Sequence, residues 1–354
     1  METRKVQEVG GGTYTVSLPK EWAESEGVAA GSTVDLHAHI DGLLVIQARD
    51  REDGPTDPVR VPVCGEDPDW VEQALRAAYA AGTDAVAFES PEGVADEQRR
   101  RIEQVARNLA GATVAEASGA RIVVRTPLDP SEVSVSQSVR QLSFVALSMH
   151  RDATAALTGE GAPEPADRDR QADRLCGLVE RHVERALGRL DEVDALGLTR
   201  PELFALWGTA RELERVADHA ERIRATVAAI DEPAGPTLCE DFADLAEAAR
   251  RVVDDATTAA AGDHDVDAAR EALSRRDDVR ERARELDRRL LASEADGRYL
   301  RVLDRLRRTA EHGGNVAERA LRTAVRRGDL AEASGFDPDE AVDAPADSPA
   351  DAGG

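Results

Sequence analysis

The spacing of hydrophobic positions changes character along this chain, and each change marks a domain border. Residues 4–9 (RKVQEV) and the run TYTVSLP, on either side of Gly10-Gly11-Gly12, alternate between apolar and polar positions. That pattern predicts two short strands joined by a glycine turn. Pro19 at a first helical position opens a short helix, KEWAESEG, which Gly27 can end. VDLHAHI and LLVIQA then alternate around Asp41-Gly42, the signal of a two-residue hairpin. Residues 1–48 therefore read as a small β domain, and 50–58 (DREDGPTDP) as a linker.

From 59 to 128 strand-like and helix-like segments take turns: VRVPV, DPDWVEQALRAAYAAG, DAVAFES, DEQRRRIEQVARNLAG, TVAEAS and ARIVVRT. This order predicts a small α/β domain, one sheet covered by two helices, and it contains no catalytic motif. From 132 to 328 the period is helical. The spacing predicts helices over 133–158, 169–194, 201–230, 237–261, 265–292 and 296–327, separated by Gly, Pro and capping residues. Two three-helix bundles, 132–232 and 236–328, follow from that count. The stretch 329–354 holds eight acids and no base among Ala, Pro and Gly, the composition of a disordered tail. The fold class is thus multidomain and mainly α.

The third and sixth helices superpose at an offset of 93 residues. Leu213, Arg215, Ala217 and His219 then meet Leu306, Arg308, Ala310 and His312, while Asp218 meets Glu311. A duplicated three-helix unit is the preferred reading. Chance similarity between two Arg/Ala/Glu-rich amphipathic helices is the alternative.

Composition narrows the setting. Aromatics are only 3% of the chain, so Ala, Val and Leu must carry the burial, as suits closely approaching helices. Acids outnumber bases 70 to 45 for a net charge of −25, and the only lysines are Lys5 and Lys20. Such a surface is the bias of proteins from salt-loving archaea, where molar salt screens self-repulsion. Cys64, Cys176 and Cys239 form no CxxC pair, which argues against a disulfide framework or thiolate metal site. No charged stretch followed by an apolar run opens the chain, and none approaches the ~18 residues that span a bilayer. A cytoplasmic protein is expected.

Candidate chemistry is confined to carboxylates and a few cations. Glu214 and Asp218 lie four apart on one helix face, and Asp169 and Asp173 repeat that spacing on the preceding predicted helix. Four carboxylates on neighbouring helices would hold a hard or borderline cation such as Mg, Mn, Fe or Zn. An acidic surface also produces such pairs by chance, and both readings stay open. No nucleophile or general base accompanies the carboxylates, so a non-enzyme is expected. At the N-terminus Arg4, Lys5 and Lys20 are the candidate phosphate contacts of a segment that is net acidic. The glycine run lacks the Gly-Lys-Ser/Thr of a nucleotide loop.

Two resemblances give these patterns a meaning. The stretch RKVQEVGGGTYTVSLPKEWAESEGVAAGSTVDLHAHIDGLLVI resembles the AbrB/SpoVT swapped-hairpin domain, through its Leu-Pro-Lys-x-Trp step, Gly-x-x-Val turn and Asp-Gly hairpin. The resemblance implies a homodimer that binds double-stranded DNA through Arg4 and Lys5, with Lys20 beside them. Residues 132–328 resemble PhoU, the phosphate-uptake regulator of two three-helix repeats, through ELERVADHAERI and RTAEHGGNVAE. This second likeness implies a divalent metal or multinuclear metal cluster on the bundle surface. Its carriers would be Asp169, Asp173, Glu214 and Asp218 in one repeat and Asp277, Glu281 and Glu311 in the other, where Arg307 stands in place of a carboxylate. It also implies a phosphate ABC transporter ATPase as partner. Together the likenesses lead us to expect either a DNA-binding regulator of phosphate-transport genes or an adaptor that acts on the transporter without touching DNA.

Overall fold

The computed structural model describes residues 3–40, 42–48, 57–158, 167–230, 235–262, 265–293 and 295–330. Residues 50–56 of the expected linker 50–58, residues 159–166 and 231–234 at helix breaks, Asp41 and the acidic tail beyond 330 lie outside the described residues. The chain divides into two compact units, residues 1–56 and 57–354.

In the first unit β1 (Gln7–Val9) pairs antiparallel with β2 (Thr13–Thr15), and β3 (Val34–Ala38) with β4 (Leu44–Ala48). A short helix, α1 (Lys20–Ser25), follows Pro19, whose carbonyl accepts the Ala23 N–H at 3.0 Å. The second hairpin differs from the two-residue Asp-Gly turn that the sequence predicts. The His39 N–H donates to the Leu43 carbonyl at 2.8 Å and the Gly42 N–H to the His39 carbonyl at 2.9 Å, so His39 and Leu43 close the hairpin in place of Ile40 and Leu43. Gly42 takes φ +79°, the left-handed position that such a loop assigns to glycine.

In the second unit β5 (Val59–Pro62), α2 (Pro68–Ala80) and β6 (Ala85–Glu89) form a parallel crossover. Helix α3 (Asp96–Asn108) leads to the antiparallel strands β7 (Thr113–Ala117) and β8 (Arg121–Arg125), and the sheet order is β5-β6-β8-β7. Val71, Leu75 and Tyr79 of α2, with Ile102 and Val105 of α3, pack against Val86, Phe88, Ile122 and Val124 of the sheet. The buried Gln98 ties the start of α3 to the β5 end, donating to the carbonyls of Val63 at 3.0 Å and Glu66 at 2.7 Å. This is the expected sheet under two helices.

The helical body comprises α4 (Val135–Ala155), α5 (Asp167–Gly188), α6 (Leu190–Leu196), α7 (Arg200–Ala228), α8 (Pro236–Ala261), α9 (Val266–Leu291) and α10 (Arg298–Arg327). Caps fix several starts: Ser134 accepts the Gln137 N–H at 3.2 Å, and Thr199 with Glu202 forms a reciprocal capping box. Two features depart from expectation. The helix expected over 169–194 breaks at Arg189, which is extended (φ −130°), so that Glu192 on α6 turns back onto α5. The two expected bundles, α4/α5/α7 and α8/α9/α10, also share one continuous core, because α4 packs on α8 and α7 on α10. Ala246, Ala249, Ala256, Ala310 and Ala317, all at most 0% exposed, let those helices approach.

Candidate functional site

Where the two repeats meet, α7 and α10 bring their matching histidines together. His219 Nε2 lies 3.1 Å from His312 Nε2, with the rings stacked 5.1 Å apart. His312 Nδ1 is 2.7 Å from Glu212 Oε2, which also accepts the Asn315 amide N–H at 3.2 Å. Glu212 stands two helical turns before His219 on α7 and so shares its face. Burial pushes the Glu212 carboxyl up, but the hydrogen bonds from His312 and Asn315 outweigh it and hold the pKa below the usual value. Burial, and then the His312 and Arg305 charges, push His219 down to about 3. His150 on α4 is fully buried and likewise pushed down to about 3, by burial and then Arg250. The sequence singled out His219 and His312 but not Glu212 or His150. The seven-residue spacing to His219 was the available signal for Glu212, and a lone histidine on α4 offers none.

The four carboxylates of the first repeat come into one electrostatic neighbourhood. Asp169 and Asp173 stand on α5, and Glu214 and Asp218 on α7. Although Asp173 lies at the accessible surface, desolvation by the packed helices pushes its carboxyl above the usual range, and the charges of Asp169, Asp218 and Glu221 push it further. Burial raises Glu214 in the same way, followed by Asp218 and Asp173, with Arg211 opposing. The raised carboxyls of Asp173 and Glu214, each repelled by neighbouring acids, are groups that a cation would relieve. Among the described residues, no three His, Cys, Asp or Glu side chains stand at metal-holding distances from one another.

In the first set Arg222 reaches Asp218 at 3.4 Å, and the second set is closed by arginines more fully. Arg276 and Arg280 hold Asp277 at 3.0 and 3.2 Å, and the Arg276 hydrogen bond lowers its pKa. Arg307 binds Glu311 at 3.2 Å and Asp304 at 2.9 Å, while Glu281 lies exposed. Where the first repeat has Glu214 the second has the Arg307 guanidinium, and Asp277 and Glu311 already have arginine partners, so this set suits a cation less well than the first.

A further network was invisible in the sequence. Arg181, 1% exposed on α5, donates to the carbonyls of Tyr79 at 3.0 Å and Thr83 at 2.9 Å. Arg185 donates to the Gly82 carbonyl at 2.9 Å and to Glu192 Oε2 at 2.9 Å, and Glu192 Oε1 is 2.6 Å from His182 Nδ1. Two guanidiniums thus cap the C-terminal end of α2, where the helix dipole favours cations, and lock the α/β layer to the bundle.

In the N-terminal unit Arg4 and Lys5 occupy the exposed segment leading into β1, ahead of the strand itself, and Lys20 opens α1. Lys20 Nζ pairs with Glu24 at 3.5 Å on the solvated surface. Of the described residues in this unit only His39 is buried, and Tyr14, Leu36, Ile40 and Leu44 are 58% exposed or more. Among the described residues of the whole chain, no helix is long and apolar enough to cross a membrane.

Comparison with known proteins finds matches for the N-terminal unit and for the first helical repeat. The family model described as antidote-toxin recognition MazE, bacterial antitoxin, matches residues 7–53. The PhoU domain model matches residues 139–227, from the first turns of α4 to the end of α7. No curated protein and no solved structure gives a significant match. One chain thus carries a segment similar to the MazE antitoxins, a match in keeping with an AbrB/SpoVT-like hairpin fold, and a segment similar to the PhoU domain.

Proposed function

We propose that this protein is a transcriptional regulator of phosphate uptake, a cytoplasmic homodimer that binds promoter DNA through its N-terminal hairpins and senses transport state through its helices. One observation carries the reading: a MazE-type segment and a PhoU domain occupy the same chain, so sensing and gene control need no intermediary. The apolar exposure of Tyr14, Leu36, Ile40 and Leu44 supports dimerisation, because isolated two-stranded hairpins are marginal in water until a second layer covers them. In that dimer Arg4 and Lys5 of each copy reach DNA phosphates, with Lys20 beside them. At molar salt counterion release adds little affinity, so base and shape readout carry more of it. Asp169, Asp173, Glu214 and Asp218 would hold a divalent cation that damps their mutual repulsion. The chain catalyses no reaction.

A map of chromatin occupancy in phosphate-rich and phosphate-starved cells tests this reading. Enrichment at phosphate-transport promoters that shifts with phosphate supports it, and occupancy that ignores those promoters removes the gene-control role. A second reading, an adaptor on the transporter ATPase with the hairpins serving only to dimerise, is favoured by the pairing of Lys20 with Glu24. Arg4→Ala with Lys5→Ala separates the two: promoter binding is lost under the first, and nothing changes under the second.

A further inference from the structure

The first helices of the two repeats, α4 and α8, enclose a groove of about 650 Å³. Its charge is opposite to that of the chain. Arg140, Arg151, Arg250 and Arg251 line it against only Glu247 and Asp254. Two of these arginines are already engaged: Arg251 pairs with Glu247, and Arg140 donates to the Ala261 carbonyl at 2.5 Å and to Gln137 at 2.9 Å. Arg151 and Arg250 are different. Among the described residues neither guanidinium has a carboxylate within ion-pair distance, in a protein with 25 surplus negative charges.

Arg250 is anchored from behind. Its Nη1 donates to Thr154 Oγ1 at 3.0 Å and lies 3.4 Å from Nδ1 of the buried His150. Burial disfavours its charge, the neighbouring Arg151 charge disfavours it further, and the Glu247 carboxylate only partly offsets them. Two like charges held together, one of them half-buried, cost free energy unless an anion sits between them. The accessible hydroxyls of Ser148 and Thr258 line the same groove, whereas those of Ser143 and Thr257 are spent on each other and on the Val253 carbonyl. The arginine-rich cavity beside Arg280 and Arg307 is not comparable, because Asp287, Asp304 and Glu311 balance its three guanidiniums.

We propose that the α4–α8 groove binds a phosphate-class oxyanion between Arg151 and Arg250. The planar guanidinium fork matches two oxygens of a phosphate, and threonine and serine hydroxyls can serve its remaining oxygens. Phe144, 72% exposed at the groove, gives a flat apolar surface to a ligand that carries more than the bare ion. This site goes beyond the regulatory reading above and does not depend on DNA binding.

Equilibrium dialysis of the full chain at fixed ionic strength in KCl tests it, with radiolabelled inorganic phosphate in one arm, AMP in another and sulfate as competitor. Saturable binding of either phosphate ligand is expected, weakened about tenfold or more by Arg151→Gln and by Arg250→Gln, since each removes a charge-assisted contact. Arg222→Gln, distant on α7, should leave it unchanged. AMP binding that weakens with Phe144→Ala identifies a nucleotide, and inorganic phosphate binding that ignores Phe144→Ala identifies the free ion. Arg151 is exposed, so its variant stays informative if Arg250→Gln fails to fold. The proposal is overturned if neither ligand binds, if sulfate competes as an equal, or if binding survives Arg151→Gln intact.

Discussion

His219 and His312 touch through their Nε2 atoms at 3.1 Å although 93 residues separate them, because each holds the same position in its repeat. Only one of the two nitrogens can carry the shared hydrogen. In the tautomer where His312 Nδ1 donates to the Glu212 carboxylate and Nε2 carries no hydrogen, His219 donates to that Nε2. That leaves His219 Nδ1 as a buried lone pair without a partner among the described residues. An unused acceptor costs less than a stranded N–H would.

Acid should therefore loosen the joint between the repeats. His150 and His219 fall from 6.5 to about 3 in the folded chain, so the stability their neutral forms contribute is full above 6.5 and is lost as pH drops toward 3. Each contributes a slope of up to ~1.4 kcal/mol per pH unit below 6.5. Glu214 and Asp173, with raised pKa values, pull the other way near the carboxylate range. The diagnostic quantity is thus a difference: between pH 6.5 and 4.5, denaturant unfolding of His219→Gln should show a flatter decline than the parent chain. Parallel declines would mean that His219 is charged in the fold.

The acidic set of α5 and α7 makes a second expectation. Carboxyls raised by folding contribute stability below their unfolded pKa and lose it as pH rises through the folded value, so near neutrality they strain the structure. Manganese or magnesium should raise the melting temperature at pH 7.5 relative to EDTA. Glu214→Gln combined with Asp218→Asn should stabilise the metal-free chain and abolish the cation response. Asp277→Asn should not alter that response, since Arg276 and Arg280 already neutralise Asp277. A cation response that persists without Glu214 and Asp218 would place the site elsewhere.

Which of these features could be read from the residues depends on the range of the forces behind them. Helix starts were legible because Ser134, Thr199 and Glu202 act within four residues. The repeat was legible because its two copies keep Leu213 and Leu306 in the core and the histidines in register. The merging of two bundles into one was not, since an alanine stripe suits either a partner within the repeat or one across it. Arg181 reads as a solvated helix position, and nothing nearby reveals that the end of α2 will close over it. Of the carboxylates, the spacing places Glu214 with Asp218 and Asp169 with Asp173 on single helix faces, but arginine neutralisation of Asp277 depends on rotamers that spacing does not encode.

That closure over Arg181 can be measured. Arg181→Met keeps most of the apolar stem but strands the carbonyls of Tyr79 and Thr83, at a cost of about 2–3 kcal/mol. Because Arg185 still reaches Gly82, the α/β layer should stay folded while its docking weakens. Hydrogen exchange should then rise at the end of α2 and along α5, with the sheet unchanged. Uniform exchange across the sheet as well would show that the layer cannot fold without its bundle.

Gly313 should be the least replaceable residue of α10 for its size. In the middle of a helix glycine costs about 1 kcal/mol relative to alanine, so an exposed position would gain from the change. Here a Cβ would lie 2.8 Å from Val252 Cγ1 and 2.9 Å from the Val253 backbone nitrogen of α8. A side chain could swing away, but the α8 backbone cannot move without opening the core shared by both repeats. Overpacking of that kind costs about 1–3 kcal/mol and exceeds the propensity gain. Gly313→Ala should therefore lower the unfolding midpoint, and Gly235→Ala, which meets nothing within 4 Å at the entrance to α8, should not. A stabilised Gly313→Ala chain would mean that α8 and α10 are not held at this spacing in solution.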